Sequence, residues 1–165
     1  MLKIYSLYFY SMLLALDVAT SCGVCYNVRK KLYIGTVVGV PSEQYIWVKE
    51  NTKFNEVVIE ELVSYNSRQP KILVNLAQRV GYLYHRFVEE NIPVRWAHPG
   101  SWRKNLSLIQ SKAGTRQLQI SLKETFKVAL SLDEVDAVGV WLFGMQLNVA
   151  DIESYKIVKL GINRV

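Results

Sequence analysis

Disulfide and metal crosslinks have little raw material in this chain, whose 165 residues include 2 cysteines and 2 histidines. The cysteines form Cys22-Gly23-Val24-Cys25, which spells a redox CxxC. Such a thiol is activated at a helix N-terminus, where the dipole lowers its pKa. Here Val24-Cys25-Tyr26-Asn27-Val28 has the composition of a strand running into a turn. A structural zinc site takes four ligands, and only His85 and His98 could join the thiols. Two ordinary thiols in a reducing cytoplasm are the simpler account. Nothing resembling a linker, repeat or low-complexity tract divides the chain. Long apolar runs are missing too, since a membrane helix needs about 20 such residues. The stretch from Ile4 to Leu16 is apolar apart from Ser6 and Ser11, with Lys3 ahead of it. It imitates a signal peptide but offers no clean small-residue cleavage site and ends on Asp17. The expectation is a cytoplasmic protein that does not enter a membrane. Residues 1–11 are then an N-terminal extension of uncertain role, with Met12 a candidate native start and 12–165 a single domain.

Half of the residues are hydrophobic and 12% are aromatic, enough for one domain with a real core. The formal charge is +6 and the pI about 9.3. A basic excess favours a polyanionic partner such as nucleic acid, because Lys and Arg displace condensed counterions from phosphates.

From Met12 the pattern runs strand, hairpin, strand, helix. Leu13 to Val18 is an apolar strand, and Gly23–Val28 and Leu32–Val40 are β-rich runs around a turn at Arg29-Lys30-Lys31. Pro41 ends the meander. Glu56-Val57-Val58-Ile59-Glu60 is a buried strand with an acid at its tip. Ile72, Leu76, Val80, Leu83, Phe87 and Val88 recur at helical spacing over 71–91, and Ile92–Ala97 follows as a strand. Beyond His98-Pro99-Gly100 a basic segment leads into helical pattern through Leu130. A final helix begins near Asp133 and reaches about Leu147, with Ser131 as N-cap and Glu134 completing a capping box.

Asp17, Glu60 and the pair Asp133/Asp136 each stand where an apolar element ends or begins. An ionised carboxylate in such a place is costly unless a cation pairs with it. Asp133 and Asp136, three apart on a helix, face the same way. Four carboxylates on converging elements can hold hard divalent cations such as Mg²⁺. Two ions about 4 Å apart would activate water and stabilise both oxygens of an in-line phosphodiester displacement. Each acid also has a plainer role: Asp133 as a helix-dipole partner, Asp17 as a turn former with Thr20 and Ser21, Glu60 as a solvated strand end.

Leu14-Ala15-Leu16-Asp17-Val18-Ala19-Thr20-Ser21-Cys22-Gly23 resembles the first strand of RuvC-like resolvases. Val57-Val58-Ile59-Glu60-Glu61-Leu62 resembles their fourth strand, and Leu132-Asp133-Glu134-Val135-Asp136-Ala137-Val138-Gly139-Val140 their final helix. The three stretches occur in the family's order, from Met12 to about Gln146. The resemblance implies an α/β RNase H-like fold: a mixed sheet of antiparallel meander plus parallel strands, flanked by helices. It implies a homodimer that resolves four-way (Holliday) DNA junctions with Mg²⁺ or Mn²⁺, two ions per site, held by Asp17, Glu60, Asp133 and Asp136 as catalytic ligands. Lys112 falls where the family places a basic residue near the scissile phosphate. The segment from Pro41 to Asn55 looks too short for the full helix that precedes the family's fourth strand. The region from Trp96 to Lys104 looks more like compact phage or viral relatives, whose cytoplasm would be the host's.

Arg103, Lys104, Lys112, Arg116 and Lys123 form a basic set suited to phosphate contact. Trp96 or Trp102 could stack on an unpaired base or belong to the core. Tyr65 and Asn66 could wedge into an opened junction or pack locally. His98 before Pro-Gly is a turn residue, with a general-base role as the alternative. Tyr82, Leu83, His85, Arg86 and Phe87 are taken as one face of the long helix, a region the family uses for its dimer. Flap DNA or an RNA–DNA hybrid remains an alternative substrate, and a non-catalytic nucleic-acid-binding scaffold an alternative function.

Overall fold

Leu13 to Leu16 are apolar at four successive positions, the pattern of a strand covered on both faces. They form β1 (Leu13–Asp17) inside a six-stranded sheet. The structure is a computed structural model that describes residues 12–63 and 69–165. β1 pairs antiparallel with β2 (Ser21–Val28), which turns at Arg29-Lys30 into β3 (Lys31–Val38). Its other edge pairs in parallel with β4 (Glu56–Glu60), which in turn carries β5 (Val94–Ala97). The last strand, β6 (Lys156–Arg164), adds in parallel beyond β3, giving the order β5-β4-β1-β2-β3-β6. The sheet is therefore mixed, as the sequence leads one to expect. β6 is not: its apolar residues are only partly buried, so it has no clear alternation to reveal it.

Alternate residues of β1 serve two cores. Leu13 and Ala15 pack with Trp102, Leu118, Val138 and Trp141, under α3 (Pro99–Asn105), α4 (Lys112–Phe126) and α5 (Leu132–Met145). Leu14 and Leu16 pack with Tyr45, Val48, Leu83 and Phe87, under α1 (Pro41–Asn51) and α2 (Pro70–Glu89). α5 is buried from Glu134 through Leu142, so it runs through the interior rather than along the surface. It begins as expected: Ser131 Oγ accepts from Glu134 N at 3.2 Å, and Glu134 Oε2 accepts from Ser131 N at 2.7 Å.

Three expectations are corrected. The stretch after Pro41 holds an 11-residue helix, α1, started by Pro41 and by Glu43 Oε2 accepting from Val40 N. Its weak amphipathicity hides it, because Gln44 is buried while Ile46 is 53% exposed. Gln44 Nε2 donates to the carbonyls of Ala19, Thr20 and Val37, so a polar side chain docks the helix. On α2 only Val80, Leu83 and Phe87 are buried, whereas Ile72 and Val88 are exposed. Tyr82 and His85 are exposed while Leu83 and Phe87 face the core, so those residues do not share one face. The basic segment forms two helices, α3 and α4, with a break between them, and α4 ends at Phe126, short of Leu130. Among the described residues, no helix is long and apolar enough to cross a membrane.

Candidate active site

The parallel register places the tips of β1 and β4 side by side, with Leu16 opposite Ile59, so Asp17 and Glu60 emerge together. α5 reaches the same place because β2 lets it come close. A Cβ on Gly23 would sit 2.0 Å from the Asp133 carbonyl oxygen, so only glycine permits this approach. Asp133 and Asp136 then project from the first turns of α5. Asp17, Glu60, Asp133, Arg103 and Lys112 line one cavity of about 360 Å³, with Asp136 fully buried beside it.

Each acid has a distinct environment. Burial raises the pKa of Asp17 well above the carboxylate range, and the charges of Glu60, Asp136 and Asp133 raise it further. Burial also raises Glu60, opposed by the hydrogen bond from Trp102, while the charge of Asp136 adds to the increase. Trp102 Nε1 donates to Glu60 Oε1 at 2.8 Å. Asp136 accepts from Thr115 Oγ1 at 2.6 Å on one oxygen and from Lys112 Nζ at 3.0 Å on the other. Arg103, stacked 4.5 Å from the centre of the Trp102 ring, lies 3.6 Å from Asp136. Burial would lower the Lys112 pKa, but the charges of Asp136, Asp17 and Glu60 together hold it above the ordinary lysine value.

That last balance bears on metal binding. Lys112 reaches in from a position 72% exposed, so its ammonium acts as a stand-in cation for a carboxylate group that favours added positive charge. Oxygen donors carrying excess negative charge are the set that suits Mg²⁺ or Mn²⁺. Among the described residues, no three acidic, His or Cys side chains yet stand at positions that would hold an ion. Asp136 is hydrogen-bonded by Thr115 and Lys112, and Glu60 by Trp102. The donor types fit the ions, and coordination by Asp136 would need Lys112 to move aside.

The basic set separates into different roles. Arg103 is buried against Trp102 and Thr115. Lys112, Arg116 and Lys123 lie on one stripe of α4, at spacings of four and seven residues, and Lys104 is exposed on α3. Lys123 is roughly 16 Å along the helix from Lys112 by helical rise. Trp102 is fully buried and unavailable for stacking on a base, whereas Trp96 is 43% exposed beside Tyr84. His98 caps α3, its Nδ1 accepting from Gly100 N at 3.1 Å, as a turn residue would. Tyr65 and Asn66 lie outside the described residues. Cys22 and Cys25 sit in β2, one in each core, and burial pushes both thiols far up, which removes the redox reading. Thr115 is the site residue that sequence reasoning misses, because a threonine in a helix gives no sign of a buried aspartate above it.

No protein-family model matches the chain, and no curated protein matches it. Solved structures do. RuvC of Thermus thermophilus in complex with Holliday junction substrate aligns with TM-score 0.59 and 12% identity over 82% of this chain and 96% of that one. Another Thermus thermophilus RuvC structure gives 0.55 and 14% identity, covering 82% and 97%. The yeast mitochondrial Holliday junction resolvase Ydc2 gives 0.51 and 14% identity, covering 79% and 75%. The mixed sheet, its flanking helices and these alignments together give the chain the RNase H-like fold of the RuvC-type resolvases.

Proposed function

We propose that this chain is a divalent-metal-dependent, structure-selective DNA endonuclease that resolves four-way junctions. The observation that carries the proposal is the convergence of Asp17, Glu60 and Asp133, from β1, β4 and α5, on one cavity with Asp136 buried beside it, on a RuvC-type fold. Asp17, Glu60, Asp133 and Asp136 would hold the metal ions. When bound, two such ions supply an activated water and neutralise charge on the attacking and leaving oxygens. The chain's own residues do the rest. Thr115 fixes the orientation of Asp136, and Trp102 that of Glu60. Lys112, released from Asp136, would meet a phosphate oxygen, and exposed Lys104, Arg116 and Lys123 would extend positive charge away from the cavity. Hydrolysis forms one P–O bond from water and breaks one ester P–O bond.

Two such sites in a homodimer would give the paired nicks that resolve a junction. Exposed Val74 and Val88, on one side of α2, offer apolar surface for that association. Two buried free thiols suit a reducing compartment, the cytoplasm of a cell or of a phage host. The cost of holding raised, mutually repelling carboxylates together argues against a purely structural scaffold. The test is cleavage of a labelled four-way junction beside flap, duplex and RNA–DNA hybrid substrates, with Mg²⁺ or Mn²⁺. Paired symmetric nicks in the junction support the proposal. Preferential cutting of flap or hybrid moves the substrate while keeping the site, and no metal-dependent cutting of any substrate removes the enzyme.

A further inference from the structure

The opposite end of the sheet carries a second concentration of charge. Arg29 and Lys30 form the β2–β3 turn, Lys31 opens β3, Lys53 follows α1, and Lys156 opens β6. With Tyr33 they line a cleft of about 520 Å³, larger than a single phosphate would fill. All five cations are exposed, and none makes an ion pair among the described residues. Residues 1–11 and 64–68 contain no Asp or Glu that could supply one. Lys31 and Lys156 are direct partners across β3 and β6, with Lys156 N bonded to the Lys30 carbonyl at 2.8 Å. Like charges opposite one another in a sheet are unfavourable, and soluble surfaces ordinarily intersperse the two signs. Such a departure from local preference is expected where a ligand supplies the missing charge.

We propose that this cleft is a second phosphate-backbone site, which binds a DNA segment remote from the scissile phosphate. The proposal rests on the nuclease reading above, which makes branched DNA the polyanion at hand. From Gly23, opposite Asp17, to Val28 is five residues of β2, roughly 16 Å at strand rise. The cleft therefore lies too far from the carboxylates to share their phosphate. Its wall favours a nucleic acid: Tyr33 stacks on Tyr26 with ring centres 4.9 Å apart, a flat surface for a sugar or base. A lipid surface would call for apolar residues to insert, and among the described residues none of the large exposed hydrophobic side chains belongs to the turn or the cleft.

The test is fluorescence anisotropy of labelled four-way junctions with short and long arms, in EDTA, across a KCl titration. Wild type is compared with the triple variant Lys31→Gln, Lys53→Gln, Lys156→Gln. Each phosphate contact contributes about 0.9 to the logarithmic salt slope, so the variant is expected to lose about 2–3 in slope on long-armed junctions. Affinity of the wild type should rise with arm length and that of the variant should not. Metal-dependent cutting of a short-armed junction should remain within about twofold, since none of the three residues touches the carboxylates. An unchanged salt slope in the variant overturns this proposal while leaving the nuclease reading intact. Failure of wild type to cut any substrate overturns the nuclease reading, and a slope difference surviving that failure still supports a polyanion site. Loss of binding to anionic phosphatidylserine vesicles with DNA binding unchanged overturns the DNA assignment. A lowered melting temperature with unchanged DNA slope marks the cations as structural and also overturns it.

Discussion

The two ends of the sheet treat charge in opposite ways. At the end where β1 and β4 finish, acids are buried or half-buried, and the fold brings its own cations to them: Lys112 and Arg103 on Asp136, with Trp102 donating to Glu60. At the other end five exposed cations stand together without a carboxylate partner. The difference follows from solvation. A buried charge is costly at every moment and must be met within the fold, whereas an exposed one is hydrated and can wait for its ligand. The acidic end is thus preorganised and the basic end is adaptable, which suits chemistry at one and non-specific backbone contact at the other.

Removing one acid is the strongest way to break this contrast. Asp17→Asn and Asp136→Asn should each lower the metal-dependent nicking rate by on the order of 10²–10³, the scale for losing one preorganised electrostatic group. Retained activity in either variant would place the chemistry elsewhere. Removing what orients the acids should do less. Trp102→Phe takes the donor from Glu60, and Thr115→Val takes the donor from Asp136. Each should weaken Mn²⁺ binding roughly 10–100-fold in a calorimetric titration, as loss of an outer partner does. Affinity equal to wild type would mean that these contacts are packing only.

Packing supplies a sharper comparison. Gly23→Ala would drive a Cβ against the Asp133 carbonyl and should cost about 1–3 kcal/mol in urea unfolding. Gly81→Ala on α2, with nothing within 4 Å of the added Cβ, should instead stabilise by about 0.5–1 kcal/mol. Equal effects at the two positions would remove the argument that Gly23 lets α5 approach the strand tips. The smallest effect concerns pH. Asp17 and Glu60 hold their protons more tightly in the folded state than in the unfolded one. The stability this gives is fully present below ordinary carboxylate pKa values and is lost as pH rises through the raised folded values. Unfolding midpoints in EDTA should therefore fall as pH rises above the ordinary carboxylate range, and added Mg²⁺ should reverse the fall. A flat profile would show that the fold does not hold these acids' protons as their burial and mutual repulsion imply.

Much of the acidic end can be read in the chain before folding. Apolar runs that stop at Asp17 and Glu60, and a capping box that starts α5 just ahead of Asp133 and Asp136, are local patterns governed by burial and by unpaired helix amides. The basic end shows in sequence only as a hairpin turn, because Lys156 joins Arg29-Lys30-Lys31 through strand pairing across more than a hundred residues and Lys53 comes from the loop after α1.

The sequence by itself determined which segments bury themselves, where the carboxylates stand on them, and that the chain carries a basic excess. Those follow from side-chain polarity at fixed spacing. Only the tertiary structure decided that Trp102 meets Glu60, that Thr115 and Lys112 share Asp136, and that α1 and β6 form at all. Their cause is non-local: a hydrogen bond between residues tens of positions apart, or a half-buried edge strand, has no signature in neighbouring residues and exists only once the sheet has brought its partners together.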